Sequence, residues 1–225
     1  MELSESTLNI LRNFSGINQN ILIEEGNTIK TISEAKNVLA TAVVDEEFSQ
    51  RFGVYDLNEF ISAMGLVDTA NLNFADEYVT ISDASGRSKV KYFYSSEETL
   101  TTPQKGINMP NPDVSFTLDN DTLNRLKKAA SAFGHDEVSI SGKDGILSLS
   151  VVDSQNMTSN VFSIDVDGTY SPDAKFNFVL SISNLKILPG DYEVQISRKL
   201  VSQFHSTSGN IKYWIALEKS STFGE

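Results

Sequence analysis

The stretch LSESTLNILR, residues 3–12, is nearly repeated as LDNDTLNRLK at residues 118–127. Aligned position by position, the two stretches share Leu, Thr, Leu, Asn and Leu, and each ends in a basic residue, Arg12 or Lys127. The copies stand about half of the 225-residue chain apart. This internal repeat predicts a tandem duplication of one structural unit.

The first copy has the hydrophobic spacing of an amphipathic helix. Leu8, Leu11 and Phe14 recur on one face of a helix that turns about 100° per residue. Ser4 is placed to act as its N-cap, and Gly16 is a candidate stop signal. The opening stretch therefore predicts a helix with one buried face.

The second copy has the same organisation. Asp119 is the predicted N-cap and Gly134 the predicted end. The predicted apolar stripe consists of Leu123, Leu126, Ala130 and Phe133. On both helices the polar face carries cations: Arg12 on the first, and Arg125, Lys127 and Lys128 on the second.

β-type sequence follows each helix. Residues 20–32 and 137–152 each contain two apolar runs around a glycine-containing turn, which predicts a hairpin. A second short helix is predicted at 55–67 in the first half and at 181–192 in the second, where Pro189 cuts it short. Further strands close each half, so the predicted order is helix, strands, helix, strands, an α+β class.

The two halves are joined by a segment of linker-like composition. Residues 95–113 are rich in Ser, Thr, Pro and Asn and contain three of the five prolines. We therefore predict an N-terminal domain at 1–94, a connector at 95–113 and a C-terminal domain at 114–225.

Composition limits the function classes. The chain has no cysteine, so disulfides and thiolate metal sites are excluded. It shows neither a signal peptide nor an apolar run of the roughly 20 residues that span a bilayer, which predicts an intracellular location and no membrane partner. A net charge of −12 disfavours contact with a polyanion unless the cations are concentrated in one place.

Catalytic signatures are lacking. His135 and His205 lie in unrelated segments, the first after a helix and the second in a predicted polar loop, and no nucleophile elbow accompanies them. The sequence has no phosphate-binding glycine loop, and the run 165–168 (DVDG) lacks the remaining ligands of an EF-hand loop. We expect no cofactor, no metal and no enzymatic activity.

Several segments resemble one family over essentially the whole chain. They are LSESTLNILRNF (3–14), VYDLNEFISAMGLV (54–67), LPGDYEVQISRK (188–199) and NIKYWIALEKSSTF (210–223). These segments are similar to the DNA sliding clamps of T-even-type bacteriophages, the processivity factors of replicative polymerases. The last segment also resembles the final strand of proliferating cell nuclear antigen. Glu5 departs from the family, which favours lysine there.

The resemblance implies a fold, an assembly and partners. The fold would be two tandem processivity-fold domains, each with two helices packed on antiparallel sheets, in a closed homotrimeric ring around duplex DNA. The partners would be a replicative DNA polymerase, an ATP-dependent clamp loader, and late-transcription factors such as a sigma factor and a co-activator. The location would be the cytoplasm of the infected host cell.

The resemblance also assigns site residues. The DNA-facing residues would be Arg12, Arg125, Lys127, Lys128 and Lys186. The pocket for partner peptides would contain Ile107, Met109, Pro110, Trp214, Ala216 and Leu217. The trimer interface would contain Lys89, Lys91, Tyr92, Phe162 and Ile164, with the two lysines opposite Asp165 and Asp167.

Two alternatives stay open at this point. Duplicated β-rich domains also occur in phage structural or assembly proteins, whose acidic surface would serve solubility. A hydrolase that uses His135 or His205 is a third, weaker hypothesis. For any single helix cation or pocket residue, an ordinary solvated surface or plain core packing competes with the functional role.

Overall fold

The computed structural model describes residues 1–156 and 158–224. The chain divides into two compact units, the first spanning Met1–Gly106 and the second beginning at Ile107. The division falls within the segment of linker-like composition. Each unit carries its own buried core.

The first helix of unit 1, α1, spans Glu5–Ile17. Ser4 caps it, because its side chain accepts a hydrogen bond from the Thr7 backbone N–H at 3.2 Å. The sequence predicted that the helix would stop at Gly16, but the helix continues to Ile17. Asn18 closes it by donating its backbone N–H to the Phe14 carbonyl at 2.9 Å. Glycine is optional here because the closing residue has an extended backbone that any residue adopts.

The second helix of unit 1, α2, spans Leu57–Met64, which confirms a helix within the predicted range 55–67. Asp56 caps it by accepting from the Glu59 backbone N–H at 3.0 Å. α2 packs against α1 and buries Leu57 and Phe60.

Unit 1 contains seven strands among its described elements. They are β1 (Ile21–Ile23), β2 (Gly26–Ile32), β3 (Val38–Phe48), β4 (Phe52–Val54), β5 (Asn71–Phe74), β6 (Tyr78–Ser82) and β7 (Lys89–Phe93). β1 pairs with β4, β2 with β3, and β5, β6 and β7 form a three-stranded antiparallel sheet. The predicted hairpin at residues 20–32 is therefore wrong, since its two halves pair with different partners.

Unit 2 contains one α-helix, α3 (Asn120–Phe133), among its described elements. Its strands are β8 (Val114–Leu118), β9 (Glu137–Lys143), β10 (Ile146–Val152), β11 (Phe162–Val166), β12 (Gly168–Tyr170), β13 (Lys175–Ser181), β14 (Tyr192–Ser197), β15 (Val201–Ser206), β16 (Ile211–Ala216) and β17 (Thr222–Gly224). One sheet has the order β11-β10-β9-β13-β17, and the second runs β12-β8-β14-β15-β16. All described pairings are antiparallel. α3 packs against β10 and β11.

The local sequence predictions for α3 and for the hairpin that follows it are mostly confirmed. Asp119 caps the helix by accepting from the Thr122 N–H at 2.6 Å, and Gly134 closes it in the left-handed conformation at φ 68°. The β9–β10 hairpin is confirmed, with Asp144 and Gly145 both at positive φ in its tight turn. Phe133, predicted for the buried stripe, is instead 39% exposed at the helix end.

The predicted second helix at 181–192 is wrong. A single 3₁₀ turn, Ile182–Asn184, is followed by irregular chain. Leu185 and Ile187 are buried while Lys186 between them is exposed, which is the alternation of an extended segment rather than of a helix. His205, predicted in a polar loop, lies in β15 opposite Lys212 of β16.

Candidate nucleic-acid and partner surfaces

The outer face of α3 carries three basic side chains. Arg125 and Lys128 are exposed, whereas Lys127 is half-buried, and its burial lowers the pKa of its ammonium group. The Arg125 guanidinium carbon lies 5.7 Å from the centre of the Phe162 ring on β11, within cation–π range. Within residues 1–156 and 158–224, none of the three has a carboxylate partner within 4 Å. The face is therefore locally cationic on an acidic protein.

The equivalent face of α1 differs. Arg12 is exposed, and its Nη1 lies 2.7 Å from Glu5 Oε1 and 2.9 Å from Asn9 Oδ1. Because Glu5 follows the N-cap, it also sits favourably near the positive end of the helix dipole. The charge of Arg12 is thus largely offset on its own helix.

Lys186 lies in the irregular segment after the 3₁₀ turn. Its buried neighbours Leu185 and Ile187, each about 5% exposed, force its side chain to the opposite, solvent-facing side. The predicted DNA-facing residues therefore fall on three elements: α1, α3 and this segment. The last two belong to unit 2.

The predicted pocket residues differ strongly in exposure. Trp214 and Leu217 are buried, with Trp214 only 9% exposed, and Ala216 is half-buried. From the connector, Ile107 is 39% exposed, and Met109 and Pro110 are half-buried. The six residues thus combine a buried strand with a more accessible connector segment.

Two features mark the neighbourhood of this strand. The indole Nε1 of Trp214 is buried and has no acceptor among the described residues. The chain near the start of unit 2 is fixed by Asp113, whose carboxylate accepts from Arg198 Nε at 2.8 Å and from the Arg198 backbone N–H at 2.6 Å. Burial raises the pKa of Asp113, but these contacts outweigh it and leave the pKa below its usual value.

The predicted interface residues lie on two strands, each at the end of its sheet. β7 is the last strand of the order β5-β6-β7, and β11 is the first of the order β11-β10-β9-β13-β17. Lys91 Nζ sits 3.6 Å from the centre of the Tyr78 ring, and the Tyr92 hydroxyl donates to the Asp56 carbonyl at 3.2 Å. Phe162 and Ile164 are half-buried on β11. Strands in such positions carry backbone groups available for pairing.

Sequence reasoning missed several residues near these surfaces. Phe93 on β7 is 60% exposed, and Val161, just before β11, is 58% exposed. Tyr192 and Tyr213 bind backbone groups of Leu188, close to Lys186. Alternation along SKVKYFY already placed Phe93 on the face of the two lysines, whereas the tyrosine contacts involve backbone partners that no motif encodes.

The described residues contain no group of three or more His, Cys, Asp or Glu side chains placed to hold a metal ion. None of the helices in the described part of the chain has the length and apolar character needed to cross a bilayer.

Comparison with solved structures defines the class. The chain has a TM-score of 0.72 to proliferating cell nuclear antigen from A. fulgidus, solved with the C-terminal region of FEN-1, at 12% identity and with 98% of each chain covered. Its TM-score to proliferating cellular nuclear antigen from Entamoeba histolytica is 0.66, also at 12% identity, over 94% of each chain. The chain therefore has the fold of proliferating cell nuclear antigen.

Sequence comparison narrows the class to a family. Residues 115–219 match the family described as gp45 sliding clamp, C terminal. The sliding clamp of Vibrio phage KVP40 is 32% identical over 97% of this chain and 99% of the relative. The clamps of Escherichia phage RB69 and Enterobacteria phage T4 are 32% and 27% identical, each over 99% of both chains. This chain belongs to the sliding clamp family of T4-like phages.

Proposed function

We propose that the protein encircles duplex DNA as a homotrimeric ring and tethers the replicative DNA polymerase for processive synthesis. The observation that carries the proposal is the cationic face of α3 on a protein of net charge −12. Contacts to phosphate carry no sequence information and are strongly electrostatic, which suits a protein that slides. In this role the protein binds and does not catalyse, and an ATP-dependent loader opens the ring.

The DNA-facing surface would be built mainly by unit 2. Lys128 is exposed near the centre of the outer face of α3, and Lys186 is held outward by its buried neighbours. Arg125 and Lys127 would contribute less, because the first is near the Phe162 ring and the second is partly desolvated. Arg12 would contribute least, since Glu5 offsets its charge.

The ring would close by pairing β7 of one protomer with β11 of the next. The side chains support an antiparallel arrangement, because Lys89 begins β7 and the exposed Phe93 ends it, whereas exposed Val161 precedes β11 and Asp165 lies near its end. Antiparallel pairing places Phe93 near Val161 and Lys89 near Asp165. A parallel arrangement would instead set the phenylalanine against the carboxylate.

Partner tails would dock beside the connector and β16. Ile107, Met109 and Pro110 supply accessible apolar surface, and Trp214 and Ala216 on β16, with Leu217 just after it, supply the strand side. Polymerase, the loader and late-transcription factors (a sigma factor and a co-activator) would share this surface in the cytoplasm of the infected host.

The decisive experiment is primer extension by the cognate polymerase on nicked circular DNA, with and without this protein and its loader. The wild-type protein should lengthen the products of a single binding event, and Lys128→Glu/Lys186→Glu should abolish that gain while leaving the mass at three times 24.8 kDa by light scattering. The matched control is Lys143→Glu/Lys175→Glu, which makes the same charge change at exposed lysines on β9 and β13. Normal processivity in the first double variant would disprove the DNA-facing assignment.

Strand pairing is tested by charge exchange. Lys89→Asp alone should weaken the trimer, and adding Asp165→Lys should restore it, because the opposed charges are then re-formed with reversed sign. Trimer dissociation is measured by light scattering over a dilution series. If the second substitution weakens the trimer further, the two strands do not pair in this way.

A ring is also distinguished from a phage assembly protein by topology. A ring should stay on nicked circular DNA and slide from linear DNA with free ends. An assembly protein should neither respond to the loader nor distinguish the two DNA forms.

A further inference from the structure

The segment that carries Lys186 is not a helix, yet its backbone is fixed at several points. The Leu188 N–H donates to the Tyr213 hydroxyl at 3.2 Å, and the Tyr192 hydroxyl donates to the Leu188 carbonyl at 2.6 Å. Both peptide groups of this residue are therefore satisfied by tyrosines from strands β14 and β16. Inside a helix, the same two groups would bond to the backbone groups of residues four positions away, not to side-chain hydroxyls.

The two tyrosines are themselves held rigidly. Tyr192 is 1% exposed and Tyr213 is 0% exposed, and their ring centres lie 6.1 Å apart. Burial raises the pKa of Tyr192 to about 12 and raises that of Tyr213 as well, so both hydroxyls stay protonated at neutral pH. They form a fixed polar anchor inside an apolar core.

A second pair of contacts ties the same segment to the start of α3. The Gly190 N–H donates to Asn120 Oδ1 at 3.0 Å, and the Asn120 N–H donates to Asp191 Oδ1 at 2.8 Å. Gly190 has a backbone φ of 151°, a conformation that residues with a Cβ rarely adopt. Asn120 is the first residue of the helix that carries Lys128. One network thus holds both basic elements of unit 2 in a fixed relation.

We propose that Tyr192, Tyr213 and Asn120 are positioning residues for DNA contact, and that they set where Lys186 meets the phosphate backbone relative to α3. This inference rests on the proposed function. A lysine on a mobile loop would spread its charge over many positions, whereas a lysine on a fixed backbone contacts phosphate at a set distance from Lys128. The tyrosines thereby fix the segment that the sequence predicted to be the second helix of unit 2.

The test is a double-mutant cycle between Tyr213→Phe and Lys186→Gln. The readout is the slope of log binding constant against log KCl for a short fluorescent duplex, whose free ends let a closed ring thread on and off without a loader and so reach equilibrium. Lys186→Gln should lower the magnitude of the slope, and Tyr213→Phe should produce at least half of that drop. In the Lys186→Gln background, Tyr213→Phe should add nothing, because the charge that it positions has been removed.

Additive losses, or no loss in Tyr213→Phe, would overturn the inference. Tyr170→Phe is the matched control, since its hydroxyl also donates to a backbone carbonyl in unit 2, that of Ile146 at 3.1 Å, but far along the chain from the Lys186 segment. The control should leave the slope unchanged in both backgrounds. If the wild-type protein neither binds the duplex nor supports processive extension, the proposed function fails instead.

Two further measurements keep the test independent of folding defects. Hydrogen exchange at residues 185–190 should accelerate in Tyr213→Phe and stay unchanged in Tyr170→Phe, with no DNA present. Asn120→Ala changes a half-buried residue outside the tyrosine pair and should give the same non-additive loss with Lys186→Gln. Unchanged exchange in the segment would count against positioning. Additivity in the Asn120 cycle would do so even if Tyr213→Phe fails to fold.

Discussion

Helices α1 and α3 have the same internal construction. Each is capped by a polar side chain that accepts from the N–H three residues later, Ser4 from Thr7 and Asp119 from Thr122. Each also buries apolar side chains against the strands of its own unit. The repeated positions of the sequence are therefore those that make a capped helix with one buried face.

The outer faces of the two helices have diverged. On α1, Arg12 is opposed by Glu5, so the helix has no net charge, whereas α3 has three basic side chains against the single Asp121 and a net charge of +2. Exposed positions can change charge at little cost in stability, while caps and buried positions cannot. The two helices thus share one scaffold, whereas the positive charge that we propose contacts phosphate is concentrated on α3 in unit 2.

The largest effects should come from the buried faces, where the two helices are alike. Leu11 and Leu123 are 2% and 1% exposed, so Leu11→Ala and Leu123→Ala should each cost about 2–5 kcal/mol of unfolding free energy. Urea unfolding followed by circular dichroism measures the cost. Leu66→Ala, at a leucine that is 73% exposed, should change it by less than about 0.5 kcal/mol. A large loss of unfolding free energy in only one of the two variants would show that the two cores are not equivalent.

The next largest effect concerns DNA binding and should differ between the two helices. Lys128→Gln should reduce the salt slope of duplex binding by about 0.9 for each phosphate that the variant no longer neutralises. Arg12→Gln should reduce it by less, because Glu5 already offsets that charge at 2.7 Å. Fluorescence titrations across KCl concentrations measure both slopes. Equal reductions would show that the first helix contributes as much as the third.

Loss of a helix cap should lower the unfolding free energy by a smaller amount, and by about the same amount in both units. Ser4→Ala and Asp119→Ala should each cost about 1 kcal/mol, since an N–H at the start of the helix loses its acceptor. Thermal unfolding of the protein measures the cost. Ser131→Ala, at an exposed position inside α3, is the control and should not destabilise the protein. Glu46 on β3 also accepts hydrogen bonds from the Ser4 backbone N–H and the Thr7 hydroxyl. If Ser4→Ala has no effect, these contacts of Glu46 are sufficient to support that helix end.

Sequence reasoning succeeded where a signal is local. The α+β class, the caps Ser4 and Asp119, the left-handed Gly134 and the β9–β10 hairpin each depend on a few neighbouring residues. It failed where pairing is decided at long range. The strand Ile21–Ile23 pairs with β4 rather than with its chain neighbour, a choice that depends on the packing of the whole unit.

The Lys186 segment illustrates the second kind of failure. Ile182 and Leu185 have the spacing of a helix, whereas Leu185 and Ile187 have the spacing of an extended segment, and Pro189 limits either one. In the extended form, the Leu188 backbone is bound by the buried hydroxyls of Tyr192 and Tyr213, which come from later strands. The sequence could therefore predict that Lys186 is basic and exposed, but not how its backbone is held.

The smallest effect concerns pH and distinguishes how each helix start is supported. Burial raises the pKa of Glu46, but hydrogen bonds from Thr7 and from Ser4 outweigh it and leave the pKa below its ordinary value of 4.5. For Asp119, the Thr122 N–H is the main cause of a pKa below 3.8. A carboxyl whose pKa is depressed by folding stabilises the protein above its unfolded pKa and loses that contribution as pH falls through its folded pKa.

Glu46→Gln and Asp119→Asn should therefore each flatten the fall of unfolding free energy in acid, below about pH 4.5 for the first and below about pH 3.8 for the second. Asparagine still accepts the capping hydrogen bond, so Asp119→Asn should match the wild type near pH 7. Urea midpoints measured from pH 7 to pH 3 give both curves. Ser4 does not titrate, so we expect the loss of stability at the start of α1 in acid to come from protonation of Glu46 on β3. At the start of α3, the cap Asp119 is itself the titrating group. An acid response of unit 1 that survives in Glu46→Gln would place the titrating group elsewhere on that unit.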